Sequence, residues 1–441
     1  MRPLNSLKSQ TLMAGMLLSC GLCGCSTAQE LQPNAGTQNI GEVPTVGKVK
    51  VDTSSDISSR LNLLPAAEKL KWQSYIERSQ AAARADQAAL DKEVAANGMK
   101  SALQAPDGGD FKLPADAGDV WYKGEEAKQL TDTILSYQTP AGGWSKHTGY
   151  SSGPRKQGMQ WTSQNTPGQS PHYLGTFDNR STTEQLYFFA YVWQATGRED
   201  CKVAFGKGLD YVLAAQYPNG GWPQVYPLEG GYHDQITFND DAMTRILGLL
   251  HDIESNKPYY AFLTESQRAK VSEALNQGMD CVLKTQVEQN GIKTVWCAQY
   301  DPITLKPNAA RLMEPATLSG TESSRLLEFL MSMGKPTPSI TLAIESGLSW
   351  FEKAKITGLM KTEVEGKTSY VANPNSTEVY WARFYDLNSS KPIFPGRDGV
   401  LYDTFAAMAA KNKLGYDYYS TRPGSMLNSG QKKWRKLLAK S

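Results

Sequence analysis

Histidine and cysteine are scarce in this chain, with four His and six Cys among 441 residues. Cys20, Cys23 and Cys25 crowd the N-terminus, which leaves Cys201, Cys281 and Cys297 for the body. An odd number closes no complete disulfide framework, and the body has neither a CxxC pair nor a Cys/His spacing that suits zinc. Inert buried thiols are the expectation. A GxSxG elbow is also missing, which removes support for hydrolysis by an activated serine. Charge of one sign is lacking too. Once Arg2 and Lys8 leave with the first 24 residues, the remaining Lys and Arg equal the 44 Asp and Glu. With no basic surplus and no basic tract, nucleic acid is excluded as a partner, and any anionic ligand needs a local site. The apolar run from Leu12 to Leu18 is far too short to span a bilayer.

What is present begins with an export pattern. Arg2 and Lys8 precede that apolar run, and Leu22-Cys23-Gly24-Cys25 resembles the bacterial lipobox, whose last Cys is acylated. Cys25 is the expected lipidation site, with Cys20 as a second possibility. Ser26 rather than Asp after Cys25 favours the outer membrane. The chain then divides into a signal peptide (1–24), a flexible tether rich in Gln, Thr, Ser and Gly (25–57), a body (58–425) and a basic C-terminal tail (426–441). Helix formers dominate from Pro65 to about Ala95 and predict a long helix, set off from the rest by a Gly/Asp/Pro stretch at 105–119.

An internal repeat decides the fold class. Leu130-TDTILSY-Gln138, Gly208-LDYVLAA-Gln216, Gly278-MDCVLKT-Gln286 and Gly347-LSWFEKA-Lys355 are alike, and the three Gln are 78 and 70 residues apart. Each Gln leads into a turn that ends in Trp: TPAGGW, YPNGGW and VEQNGIKTVW. The turn stops the helix and the Trp can cover its open end. A second helix class lies between, opened by Ser181 with Glu184, by Asn239-Asp240, and by Ser319 with Glu322, each pattern that of an N-cap. Helices that alternate in this way form hairpins stacked in a ring. The expectation is a mainly α fold, an α/α toroid or incomplete (α/α)3 barrel, with an N-terminal helical extension.

The notable polar residues share one position in each repeat, after the turn and before the next helix. The first loop carries Asp178-Asn179-Arg180, the second Asn239-Asp240-Asp241, and the third Arg311 and Glu314. In a ring of hairpins these loops fall on one rim, so the groups converge. Asp178, Asn179 and Asp240 offer hard oxygen ligands that suit calcium. Each set also fits a plain helix cap, and Arg311 with Glu314 a plain ion pair. The loop 145–180, aperiodic and carrying His147, Tyr150, Trp161, His172 and Tyr173, has the length of a functional loop.

Taken in order, WQSYIERSQAAARADQ, GGWSK, TFDNRSTTEQL, QYPNGGWPQVYPL, YHDQITFNDDAM, AARLMEPATLSGTES, WARFYDL and PGRDG resemble the family 10 polysaccharide lyases, pectate lyases with an α/α toroid. The resemblance spans roughly residues 65 to 420. It implies that Arg311 is the catalytic base and that Asp178, Asn179 and Asp240 surround a catalytic calcium. Lys146, Arg383 and Arg397 match positions that hold substrate carboxylates, and Arg180 joins them as a substrate-binding candidate. The pattern departs at Met313, where the family has an aromatic, and at His147, where it has Asn. The implied reaction is calcium-assisted anti-β-elimination of α-1,4-galacturonan to 4,5-unsaturated products, by a monomer held at the outer membrane through a lipid anchor. Calcium and Arg would neutralise the C6 carboxylate so that a base can remove the C5 proton. An arginine base, with a reference pKa of about 12.5, needs neighbouring cations to disfavour its charged form. Three rivals differ in class: a terpene cyclase acting through Asp240-Asp241, an inverting glycoside hydrolase using Asp178 and Asp240, and a non-catalytic glycan-binding lipoprotein.

Overall fold

The computed structural model describes residues 45–50, 56–114, 116–165, 171–364 and 366–439. Cys20, Cys25 and the signal segment lie outside them. The principal helices are α1 (Ala66–Ala96), α2 (Glu125–Ser136), α3 (Thr183–Thr196), α4 (Glu199–Ala215), α5 (Ala242–Glu254), α6 (Glu265–Thr285), α7 (Glu322–Ser332), α8 (Pro338–Lys353) and α9 (Gln431–Leu438). Three antiparallel hairpins, α3/α4, α5/α6 and α7/α8, stand side by side. Helices α3, α5 and α7 form an inner arc, and α2, α4, α6 and α8 an outer one. The inner arc is buried round most of its surface, with Leu186, Phe189, Ile246, Leu250, Leu326 and Leu330 inaccessible to solvent. This is the expected α/α toroid.

The repeat has a structural reason at each of its positions. Each repeated Trp donates its indole N–H to the carbonyl four residues before the turn position: Trp144 to Ile134 (2.9 Å), Trp222 to Val212, Trp296 to Val282 and Trp381 to Phe351 (all 2.8 Å). These carbonyls lie in the last turns of the outer helices, where intrahelical partners run out, and the indoles supply a donor to each, beside the Tyr137 N–H at Ile134 and the Thr285 hydroxyl at Val282. Each repeated Gln binds its own turn to the next outer helix. Gln138 donates to Gly142 and Ala204, Gln216 to Gly220 and Ala274, and Gln286 to Thr294 and Ala343, at 2.8–3.0 Å. The glycines make room. A Cβ on Gly278 would lie 2.6 Å from Leu247 and 2.8 Å from Trp222, so only Gly lets inner helix, outer helix and indole meet.

Helix α1 lies across the ends of the outer helices. Tyr75 donates to the Ala215 carbonyl (3.1 Å), and Asp86, buried and pushed up to about 7 by that burial, accepts the Ala141 N–H (2.8 Å). On the rim, short antiparallel pairings join each loop to the next: Thr176 with Val225, Ile236–Thr237 with Gln299–Tyr300, and Leu318–Ser319 with Phe384–Tyr385. Rim loops distant in sequence thus become neighbours.

Four readings change. Thr45–Lys48, placed in the tether, pairs antiparallel with Val400–Tyr402. Residues 431–438, read as basic tail, form α9, whose Trp434 is fully buried in the main core. Ser181 does not cap α3: the cap residue is Thr182, without a side-chain cap bond, and Glu184 turns instead to Arg245 (3.0 Å) and the Leu113 N–H (3.2 Å). Ser319 accepts the Glu322 N–H (3.2 Å), but the Glu322 carboxylate goes to the Ser319 hydroxyl and Arg383, so the box is half formed. Cys201, Cys281 and Cys297 are free and buried as expected, and burial pushes the first two thiols up to about 12. No helix among the described residues is long and apolar enough to cross a membrane.

Replacing Gln216 with Ala leaves the Gly220 and Ala274 carbonyls without their shared donor. The urea midpoint of Gln216→Ala is expected to fall by the equivalent of about 1–3 kcal/mol with unchanged slope. The control, Gln87→Ala on the exposed face of α1, is expected to stay within about 0.5 kcal/mol.

Candidate active site

Two tight turns open the inner helices α3 and α5, and both are wound the wrong way for ordinary residues. Asn179, Arg180 and Thr182 have φ of 49°, 72° and 64°, and Asp240 and Asp241 have 50° and 63°. Left-handed backbone costs a residue with a Cβ on the order of 1–3 kcal/mol and gathers where geometry serves function. Neighbouring loops hold it in place. Thr182 Oγ1 accepts the Trp144 N–H (3.0 Å), Thr176 Oγ1 accepts the Asp178 N–H (3.0 Å), and the Asn239 N–H reaches the Ala298 carbonyl (2.9 Å). Neither turn spends a side chain on capping its helix. The Asp and Asn side chains therefore remain free to face the rim.

They face a cleft of about 260 Å³, which Asp178, Asn179 and Asp240 line together with Lys146, Arg311 and Glu314. Its remaining walls are His147, Tyr173, Gln224, Tyr232, Asn239 and Gln299. Asp178 is buried; its Oδ2 accepts from Lys146 Nζ at 2.5 Å, and its buried Oδ1 has no hydrogen-bond partner. Lys146 Nζ also sits 3.6 Å above the Tyr173 ring. Asn179 Nδ2 turns to His147 Nε2 (3.1 Å). Asp240 Oδ2 accepts from Asn239 (2.7 Å), and burial, then the negative charges of Asp178 and Glu322, pushes its carboxyl up to about 6. Among the described residues no three His, Cys, Asp or Glu side chains form a metal-binding cluster. The oxygen set here is two carboxylates and an amide.

Arg311 is half exposed and doubly bonded to Glu314, through Nε (2.7 Å) and Nη2 (2.6 Å), and Nη2 also reaches Tyr416 (2.9 Å). That ion pair, expected as the plain alternative, is present. Glu314 holds the Arg311 guanidinium above its ordinary pKa, while burial of Glu314 is outweighed by Arg311, so its carboxyl lies below the usual range.

The other candidates divide. Arg383 stands behind the cleft: it donates to Glu322 (2.8 Å) and Asn239 (3.2 Å) and lies 4.2 Å over the Tyr416 ring. Arg180 lines a neighbouring groove of about 280 Å³ that shares Asn179 and Asp240 with the cleft. Arg397 is exposed beside Gly415 and is not on the cleft wall. Sequence reasoning passed over Tyr232 and Gln224, although both stood in quoted motifs, and over Tyr416 and Gln299, which carry no local signal.

The model of the pectic acid lyase family matches residues 138–427. The chain belongs to that family. Two solved structures are similar to this lyase. The family 10 polysaccharide lyase from Cellvibrio cellulosa has 31% identity and a TM-score of 0.61, over 74% of this chain and 98% of that one. An Asp-to-Ala mutant of the Cellvibrio cellulosa enzyme, in complex with trigalacturonic acid, has 30% identity and a TM-score of 0.61, over 73% and 99%. No curated protein matches the chain. Family membership makes the protein a polysaccharide lyase and removes the cyclase, hydrolase and non-catalytic readings. Of the two departures, Met313 is buried against Gly415, where an added Cβ would collide with its Cε. His147 bridges Asn179 and Asp110 (3.0 Å).

Two arginines of the lyase should separate in stability. Arg383→Met leaves the buried Glu322 unpaired and is expected to lower unfolding free energy by about 3–5 kcal/mol. Arg397→Met, at an exposed position, is expected to change it by less than about 0.5 kcal/mol. Urea unfolding monitored by Trp fluorescence checks both.

Proposed function

We propose that this lyase cleaves α-1,4-linked galacturonan by calcium-assisted anti-β-elimination, with Arg311 as base and Asp178, Asn179 and Asp240 at the metal. The observation that carries the reading is the charge of the cleft. Lys146 and Arg311 on the cleft wall and Arg383 directly behind it stand against Asp178, Asp240 and Glu314 on the wall and Glu322 behind it. Three cations against four carboxylates leave an excess of negative charge, which repels a polyuronate. A divalent cation reverses that sign. The residues fit it: Asp178 keeps a buried oxygen with no partner, and burial and neighbouring carboxylates disfavour the charge of Asp240 more than the nearby Arg383 favours it. Bound calcium supplies Lewis-acid neutralisation of the uronate carboxylate, and the trigalacturonic acid of the Cellvibrio cellulosa complex supports the substrate class.

The chain's own residues do the rest. Lys146 is locked between Asp178 and the Tyr173 ring, where it can meet a substrate carboxylate without changing rotamer. Arg180 extends the charge into the neighbouring groove, and Arg397 reaches substrate only beyond the cleft. Glu314 takes Nε and Nη2 of Arg311, which leaves Nη1 to face the C5 proton in a fixed plane. The same pair favours the protonated guanidinium, so turnover is expected to rise with pH as the neutral fraction grows. Export and acylation at Cys25 (or Cys20), giving an outer-membrane lipoprotein that acts as a monomer, complete the proposal; a wild-type protein that takes up no fatty-acid label, or a Cys20→Ser/Cys25→Ser double variant that labels as wild type does, would refute it.

Polygalacturonate is expected to yield unsaturated product, read by ultraviolet absorbance, only with calcium present; full activity after exhaustive chelation refutes the metal role. Arg311→Lys keeps a positive charge but loses the guanidinium plane. It is expected to lose about 10²–10⁴-fold in kcat with little change in oligogalacturonate affinity by calorimetry. Retention of about a tenth or more of kcat would move the base elsewhere, to Lys146 first.

A further inference from the structure

Tyr232 and Tyr173 line the cleft and have no part in the reaction as described so far. Their hydroxyls are 3.1 Å apart, and that of Tyr173 is 3.0 Å from His233 Nε2. Tyr173 is fixed from three sides. Its N–H donates to Glu229 (2.5 Å), its ring meets His233 edge-on at 4.9 Å, and Lys146 covers its face. The Tyr232 ring lies on His233 at 4.1 Å between centroids. Burial lowers His233 to about 4, so the ring is neutral near pH 7 and the chain of hydroxyls ends on an uncharged partner. Burial, first, and Tyr173, second, also hold the Tyr232 phenol protonated.

Elimination creates a need that Arg311 cannot meet. The oxygen that leaves C4 departs with an electron pair at the moment when the base is gaining a proton, and it must find a donor elsewhere. The Lys146 ammonium is held by Asp178 and the Tyr173 ring, and its free direction is the one assigned above to a substrate carboxylate. Tyr232 is contributed by a different loop from Arg311, its hydroxyl is at the cleft wall, and only a second hydroxyl holds it.

We infer that Tyr232 is the general acid of the elimination and hands its phenolic proton to the oxygen leaving C4, with Tyr173 as the residue that positions it. The inference rests on the elimination proposed above. The C5 proton goes to Arg311, the C5–H pair becomes the C4=C5 bond, and the C4–O4 pair stays on the oxygen. That oxygen takes the Tyr232 proton and leaves as a hydroxyl. Tyr173 hydrogen-bonds the phenolate, which recovers a proton from solvent as Arg311 releases one.

The test compares two leaving groups. Polygalacturonate loses an oxygen that needs a proton, whereas an oligogalacturonide with fluorine at C4 of its non-reducing end loses fluoride, which needs one far less. Tyr232→Phe is expected to slow polygalacturonate cleavage by about 10²–10⁴-fold, while fluoride release, read by electrode, stays within about tenfold of wild type. Calorimetry with trigalacturonate verifies that the variant still folds and binds. A loss below about tenfold on polygalacturonate, or an equal loss on both substrates, overturns the assignment. A wild-type enzyme that forms unsaturated product from neither substrate refutes the elimination itself, which is a distinct outcome.

Discussion

The indole that closes each outer helix is the contact on which the rest of the lyase depends. A helix end exposes carbonyls that must be satisfied, and here a Trp donates to one of them in all four repeats, from the following turn in three and from beyond a β-hairpin in the fourth, Trp381. Because the indole has to reach back, the turn is drawn against its own helix. The next segment then starts on the rim. The Gln latch adds direction, since its second hydrogen bond goes to the neighbouring outer helix and so fixes one hairpin against the next. The converging rim follows from these two bonds, repeated.

Convergence alone would give a cluster of charges that repel one another. The lyase instead distributes them in pairs: Lys146 with Asp178, Arg311 with Glu314, and Arg383 with Glu322. Asp240 is left over, and its carboxyl rises to about 6 because burial and its acidic neighbours oppose its charge. Left-handed backbone at Asp240 and Asp241 adds a second local cost. Two unfavourable features at one residue, held in place by the surrounding ladder, mark where the fold gives up stability for a prepared electrostatic environment.

The toroid was legible because its signals are local and repeated. Gln and Trp recur in each turn, with Gly-Gly between them in the first two, and each maps to specific hydrogen bonds or a close packing contact. The carboxylates were legible for the same reason, since they precede inner helices in register. Arg397 was not, because neither burial nor pairing of a loop arginine can be read from PGRDG alone. The capping box at Ser181 misled because Glu184 had a stronger partner in Arg245, 61 residues away and invisible to local pattern. α9 was hidden by its lysines, although Trp434 among them signalled a buried face.

Arginine is a poor base in isolation, and the Glu314 pair makes Arg311 poorer still, so the role proposed for it needs a compensating reason. One lies in geometry. Glu314 engages two nitrogens of a rigid plane and Tyr416 braces one of them, which leaves the third aimed by the other two. A lysine on the same backbone would have three equivalent protons and a flexible stem, with no means of being aimed by a single carboxylate. Effective molarities of well-placed groups amount to about 7–11 kcal/mol, the same order as the roughly 5.5 pKa units, about 7.5 kcal/mol, that separate an unperturbed arginine from neutral pH. Placement can therefore offset much of the deficit in basicity, and a carboxylate that hinders deprotonation can still favour the reaction if it fixes the direction from which the proton is taken.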